Sequence, residues 1–174
     1  MLANRVSYLQ RMKTVLVIRH AKSSWESITQ KDFDRPLNDR GMKDAPAMAK
    51  RLLEKDITID AFISSPALRA LTTCTYFARA YGKKEKDIIT HPDLYNAAQQ
   101  VFFKVIKNTD EAFDNIAIFS HNPGITVFAN SLTNMQIDDM PTCAIFAVKA
   151  DIEYWKDFEK AAKEFWFFDY PKHL

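Results

Sequence analysis

Residues 14–20, Thr14-Val15-Leu16-Val17-Ile18-Arg19-His20, set five β-formers directly before an arginine–histidine pair. An apolar run of this length that stops abruptly at polar residues reads as a strand buried on both faces of a sheet. A histidine at the carboxyl end of such a strand, beside an arginine, is a poor packing choice and a good catalytic one. In open α/β sheets, ligands bind in the crevice beyond the carboxyl ends of the strands. A fixed cation beside an imidazole at that place points to an anionic substrate and to a nitrogen nucleophile or base.

Outward from this strand the chain alternates. Ser23 to Asn38 is polar and turn-rich and reads as a loop over one end of a sheet. Met42, Ala45, Ala49, Leu52 and Leu53 recur at helical spacing, with Pro46 acceptable only if the regular helix begins just before it. Ala61–Ser64 is a short buried strand, and Ser65-Pro66 reads as an N-cap with proline at the first helical position of a helix reaching Gly82. Ile88–Thr90 is a third strand, Ala98–Asn108 a helix, and Ile116–Phe119 a fourth strand leading through Pro123 into a helix over 125–132. Ala144–Lys149 and Phe165–Phe168 read as two last strands joined by a charged connection, the aromatic run as core. The fold class expected is α/β: a three-layer α/β/α sandwich with a mostly parallel central sheet and an antiparallel edge.

Composition narrows the function. With 174 residues the chain is long enough for one self-sufficient core. Residues 1–12 read as an N-terminal extension and 13–174 as a single domain. Its 24 basic and 22 acidic residues are interspersed, which argues against a nucleic-acid footprint or a membrane-surface footprint. The three glycines, Gly41, Gly82 and Gly124, cannot form a glycine-rich phosphate cradle, so phosphate must be held by side chains and helix ends. Cys74 and Cys143 lack metal or redox spacing, and the expectation is buried, inert thiols. The first residues lack a sustained apolar stretch, so the expected location is cytoplasmic. No cofactor is expected, and the oligomeric state is not legible.

Three strand ends carry chemistry. The first delivers Arg19 and His20, the second is followed by Arg69 in the opening turn of its helix, and the fourth delivers His121. If these strands are parallel neighbours, two arginines and two histidines converge on one crevice where helix N-termini point inward. Guanidiniums bind phosphate in a planar, bidentate way, so the constellation reads as a phosphoryl site. Taken singly, Arg69 is equally at home as a solvated helix residue and His121 as a cap; the coincidence carries the reading.

The sequence resembles the histidine phosphatase superfamily, whose fold is phosphoglycerate-mutase-like. Val17-Ile18-Arg19-His20-Ala21-Lys22-Ser23 is similar to its arginine–histidine–glycine motif, with the alanine of its short SixA-type branch. Asp34-Arg35-Pro36-Leu37-Asn38-Asp39-Arg40-Gly41 resembles that branch's following loop, Ser64-Ser65-Pro66-Ala67-Leu68-Arg69-Ala70 the second arginine motif, and Ser120-His121-Asn122-Pro123-Gly124 the second-histidine motif. The resemblance implies a nucleophilic His20 that becomes phosphorylated, with Arg19, Arg69 and His121 holding the phosphoryl oxygens. Ser23, Arg35 and Asn38 are candidate substrate contacts. No metal is implied, because side chains supply the positive charge. His20 must present a neutral nitrogen, so a hydrogen bond to its other ring nitrogen is expected.

One departure is informative. Many members carry a glutamate after the second arginine motif that protonates the leaving group, whereas this segment reads His91-Pro92-Asp93-Leu94-Tyr95-Asn96-Ala97-Ala98. Asp93 is the nearest carboxylate and the candidate general acid, although a turn aspartate after proline is the simpler reading. Without an acid, alcohol-like leaving groups lose ~10²–10⁴-fold help, while a phosphoramidate departs readily. The leading expectation is therefore a metal-independent phosphatase acting on protein phosphohistidine. The alternatives are a small-molecule phosphomonoesterase and a non-catalytic module that binds phosphorylated ligands. Asp32-Phe33-Asp34 lacks further ligands for a metal, and Asp34 with Arg35 is expected in the pocket wall. Trp25 is expected at the rim or as a lid.

Overall fold

Strand β1, Met12–Arg19, is the centre of the molecule, and its alternation organises the layers. Val15 and Val17 point to one face of the sheet and Leu16 and Ile18 to the other, all four fully buried. The computed structural model of the protein describes residues 11–25, 29 and 31–173. After β1 come helix α1 (Asp39–Glu54), strand β2 (Ala61–Ser64), helix α2 (Leu68–Ala80), strand β3 (Ile89–Thr90) and helix α3 (Gln99–Lys107). Strand β4 (Asn115–Ser120), helix α4 (Gly124–Leu132), strand β5 (Ile145–Asp151) and strand β6 (Lys163–Asp169) complete the order.

The sheet runs β3-β2-β4-β1-β5-β6, parallel from β3 to β1 and antiparallel at β5 and β6. Helices α1 and α2 cover one face through Ala45, Met48, Leu52, Cys74 and Phe77. Helices α3 and α4 cover the other through Phe102, Val105, Ile125 and Phe128, with Phe102 and Phe128 stacked at 4.6 Å. This is the three-layer α/β/α arrangement expected from the apolar runs.

Several boundaries differ from the sequence reading, each for a local reason. Of the extension expected over residues 1–12, residues 1–10 lie outside the described residues. Met12 already belongs to β1, paired with Asp151, and Arg11 holds Asp114 at 2.7 Å. Helix α1 begins at Asp39, so Pro46 lies in its interior, since the Asn38 cap moves the start upstream. Ser65 does not cap α2: its Oγ accepts from Ala67 N–H within the preceding turn, and the helix starts at Leu68. Gly82 ends α2 at φ +70°, as expected. The aromatic run is only half core. A bulge at Trp166 leaves Phe165 and Phe168 on one face and Phe167 on the other, while Trp166 lies exposed under Lys149 Nζ, 3.8 Å from the ring centroid. Cys74 and Cys143 are free and buried. Among the described residues no helix is long and apolar enough to cross a membrane.

Candidate active site

Because β4 lies between β1 and β2, the carboxyl ends of these three strands sit side by side. His20 N–H donates to the Ser120 carbonyl (3.1 Å) and Ser65 N–H to that of Phe119 (3.0 Å), so the three loops leave the sheet locked together. The loop after His20 is also clamped from the side. Ala21 N–H donates to Thr73 Oγ1 of α2, and the Lys22 carbonyl accepts from Asn38 N–H at the start of α1. A cavity of ≈ 420 Å³ opens over this junction, lined by both histidines, Arg19, Arg69, Arg35 and Asp32 among others.

His20 is buried, and its Nδ1 lies 2.7 Å from the Ala21 carbonyl. A carbonyl only accepts, so Nδ1 carries the proton and Nε2 keeps its lone pair. Arg69 Nε–H donates to that same Nε2 at 3.3 Å. Burial first, and then Arg69, Arg19 and Arg35, hold the ring's pKa down to about 3 against the ordinary 6.5, although the Ala21 hydrogen bond works the other way. His20 therefore presents a neutral Nε2 to a cationic pocket.

His121 packs 5.1 Å from His20, ring to ring, and its Nε2 is 2.7 Å from Ser65 Oγ. Burial, followed by the nearby His20 and Arg69, lowers it to about 3 as well. Its buried Nδ1 has no partner among the described residues. Arg19 lines the cavity, its Nη1 donating to Asp139 Oδ2 (3.2 Å) and to the Met140 carbonyl.

The four residues read from the strand ends thus meet in one place, together with Ser23 and Arg35. Arg35 is buried, donates from Nη2 to Ser23 Oγ, and stacks its guanidinium 3.3 Å over Trp25, which stands exposed at the rim. Two expected members are placed elsewhere. Asn38 is the N-cap of α1, its Oδ1 accepting from Gly41 N–H at 3.0 Å, and does not line the cavity. Asp93 lies in a short 3₁₀ turn over Pro92–Leu94, exposed and paired with Lys104 at 3.3 Å, outside the cavity. The proline that starts that turn aims the aspartate at solvent.

Asp32, not Asp34, supplies the carboxylate of the pocket wall. Its Oδ1 accepts from Arg35 Nη1 (2.8 Å), and its Oδ2 from Arg69 Nη2 (3.0 Å) and the Tyr95 hydroxyl (2.8 Å). The 3₁₀ turn Asp32–Asp34 makes this possible, since it brings residues three apart to one side and points Asp32 back at Arg35. The spacing Asp32-x-x-Arg35 was the available signal. Ser65, Tyr95, Asn122 and Asp139 were also missed, because their partners are remote in sequence.

A sequence model of the histidine phosphatase superfamily (branch 1) matches residues 15–102, which include His20 and Arg69. An uncharacterised chloroplast protein of Arabidopsis thaliana is 26% identical over 153 residues, 83% of this chain and 70% of its own length. Among solved structures, a chain from Agrobacterium tumefaciens assigned to SixA superposes with TM-score 0.76 at 22% identity, covering 90% of this chain and 97% of that one. The protein histidine phosphatase SixA complexed with tungstate gives TM-score 0.76 at 21% identity, covering 91% and 97%. A mycobacterial glucosyl-3-phosphoglycerate phosphatase is more distant, with TM-score 0.63 at 13% identity and coverage of 89% and 97%. The family match spans half of the chain and the fold is that of these enzymes: the chain belongs to branch 1 of the histidine phosphatase superfamily.

Proposed function

We propose that this protein is a phosphatase in which His20 Nε2 accepts the phosphoryl group, with protein phosphohistidine as the substrate class. The observation that carries the reading is the tautomer of His20. With Nδ1–H bound to the Ala21 carbonyl, the Nε2 lone pair lies on the side of a cavity walled by Arg19, Arg35 and Arg69. There it accepts from Arg69 Nε–H at 3.3 Å, a donor that turns to the phosphoryl oxygens as phosphorus approaches. In-line attack on phosphorus forms an Nε2–P bond and expels the leaving group; water then attacks phosphorus and returns the electron pair to Nε2. The arginines and His121 supply donors for the equatorial oxygens, over which the transition state spreads its charge.

The leaving-group side favours a phosphoramidate. Asp93 is outside the cavity, and the carboxylate lining it, Asp32, is bound to two guanidiniums and a phenol. Burial would raise Asp32, but the bonds from Arg35, Tyr95 and Arg69 outweigh it and bring it down to about 2. Asp32 is thus ionised at neutral pH and has no proton to give an alkoxide.

The test uses a phosphorylated histidine phosphotransfer protein and an aryl phosphate, each with excess chelator, for wild type and His20→Ala. Expected are phosphate release faster from the phosphoprotein, acid-labile phosphate trapped on wild type, and loss of both in the variant. Absence of release from either substrate would defeat the enzymatic reading. Equal activity of His20→Ala would defeat the mechanism.

A further inference from the structure

A carboxylate inside a phosphoryl site repels the dianion that the site must admit, so the presence of Asp32 asks for a reason. It is built in rather than incidental. Arg35 from its own loop, Arg69 from α2 and Tyr95 from the segment after β3 all donate to it, and Tyr95 is itself braced edge-on against Phe33 (5.1 Å) and His121 (5.7 Å). These three bonds use three of about four acceptor positions of a carboxylate. The side chain nonetheless stays 43% exposed, so an acceptor site remains open to a ligand.

We infer that Asp32 accepts a hydrogen bond from the leaving group and thereby selects phosphorylated imidazoles over phosphate esters. This deepens the phosphohistidine reading and rests on it. The chemistry is symmetric about phosphorus. As the Nε2–P bond forms, the bond from phosphorus to the substrate's ring nitrogen breaks and its electron pair stays on that nitrogen. With a proton on its other ring nitrogen, the substrate ring departs as neutral imidazole, and that N–H is the donor to Asp32. His20 meanwhile becomes the mirror image, phosphorylated on Nε2 with its Nδ1–H on the Ala21 carbonyl. Water then forms an O–P bond as P–Nε2 breaks; the pair returns to Nε2 and the water protons go to phosphate and solvent. A neutral ring leaves without a general acid. An ester instead leaves as an oxyanion, whose developing charge faces the Asp32 carboxylate.

Asp32→Asn and Asp32→Glu are compared with wild type on phosphoimidazole and on para-nitrophenyl phosphate. A charge-assisted hydrogen bond corresponds to a ~10- to 100-fold effect, so Asp32→Asn is expected to lower the ratio of kcat/KM for phosphoimidazole over the ester by that factor. Asp32→Glu is expected to restore part of the ratio. The alkaline limb of the phosphoimidazole kcat profile should move down by about one pH unit in Asp32→Asn, because the bound ring loses the anion that keeps it protonated. Arg35, Arg69 and Tyr95 face Asp32 directly and His121 feels its charge. Asp32→Asn lets Tyr95 and His121 titrate lower, which acts on both substrates alike, so only a limb shift confined to phosphoimidazole supports the inference. If Asp32 only positions Arg69 and Arg35, both substrates fall together and the ratio and the limb stay put, which overturns the inference. If wild type turns over the ester but not phosphoimidazole or a phosphohistidine protein, the substrate reading itself fails and this one with it.

Discussion

Arg69 Nε–H points at His20 Nε2 across 3.3 Å, while the far edge of the same guanidinium is held by Asp32 through Nη2 and by the Asp32 carbonyl through Nη1. One planar group therefore opposes protonation of His20 and, in the proposed reaction, lies within reach of a phosphoryl group on Nε2.

Arg69→Ala should lower kcat/KM by ~10²–10³-fold, the usual loss for one transition-state donor. Arg69→Lys should recover little of it, since an ammonium cannot serve His20, Asp32 and a phosphoryl oxygen from one plane. Steady-state rates of the two variants against wild type check this; full recovery by lysine would mean that charge alone matters.

The histidines make stability pH-dependent in a stated direction. Both are held near 3 in the folded chain against 6.5 ordinarily, so between those values the unfolded chain binds more protons. Their contribution is complete above about pH 6.5 and is lost as pH falls toward 3, on the order of a few kcal/mol for the coupled pair. Urea unfolding at pH 7 and pH 4.5 measures it. The drop should shrink in His20→Asn; an unchanged drop would assign the acid sensitivity to other groups.

Gly41 and Gly124 are needed for close approach. A Cβ on Gly41 would lie 2.1 Å from the Lys22 carbonyl oxygen, and one on Gly124 1.8 Å from that of Ala97. Neither backbone neighbour can swing aside. Gly41→Ala and Gly124→Ala should each cost ~1–3 kcal/mol. Gly41→Ala should also lower kcat/KM, because Lys22 follows His20 by two residues. Thermal melts together with kinetics separate the two effects.

Lys13 is a structural cation at the opposite end of β1. Fully buried, its Nζ donates to the Phe113 carbonyl (2.8 Å), pairs with Asp114 (3.3 Å) and lies 4.6 Å from the Trp155 ring centroid. Lys13→Met fills similar space but leaves these partners with fewer donors, and should cost ~1–3 kcal/mol with kcat/KM unchanged. Denaturant midpoints and rates decide it, and a fall in kcat/KM in a folded variant would show that the two ends of the strand are coupled.

What the sequence by itself determined is what depends on near neighbours and periodicity. The run Val15–Ile18 reads as a strand buried on both faces, the apolar stripes on α1 and α3 as core-facing helices, and Gly82 as the glycine that ends α2. The strand-end placement of Arg19, His20 and His121 followed from those assignments. Tertiary structure alone decided which side chains meet once the strands are laid side by side. Asn38 and Asp93 sat at plausible spacings, but a helix cap claimed one and a proline turn sent the other to Lys104. In the sequence Asp32 reads only as half of a carboxylate pair too poor in ligands for a metal, yet the turn of its own loop delivers it to Arg35, and the β2–α2 connection delivers Arg69. The sequence asks for a neutral His20 with a hydrogen bond on its other ring nitrogen. Which nitrogen stays free depends on where one backbone carbonyl points, and the Ala21 carbonyl on Nδ1 leaves Nε2. Periodicity governs burial, but bonds such as those from Arg69 and Tyr95 to Asp32 join residues tens of positions apart, and only the packed chain sets their distances.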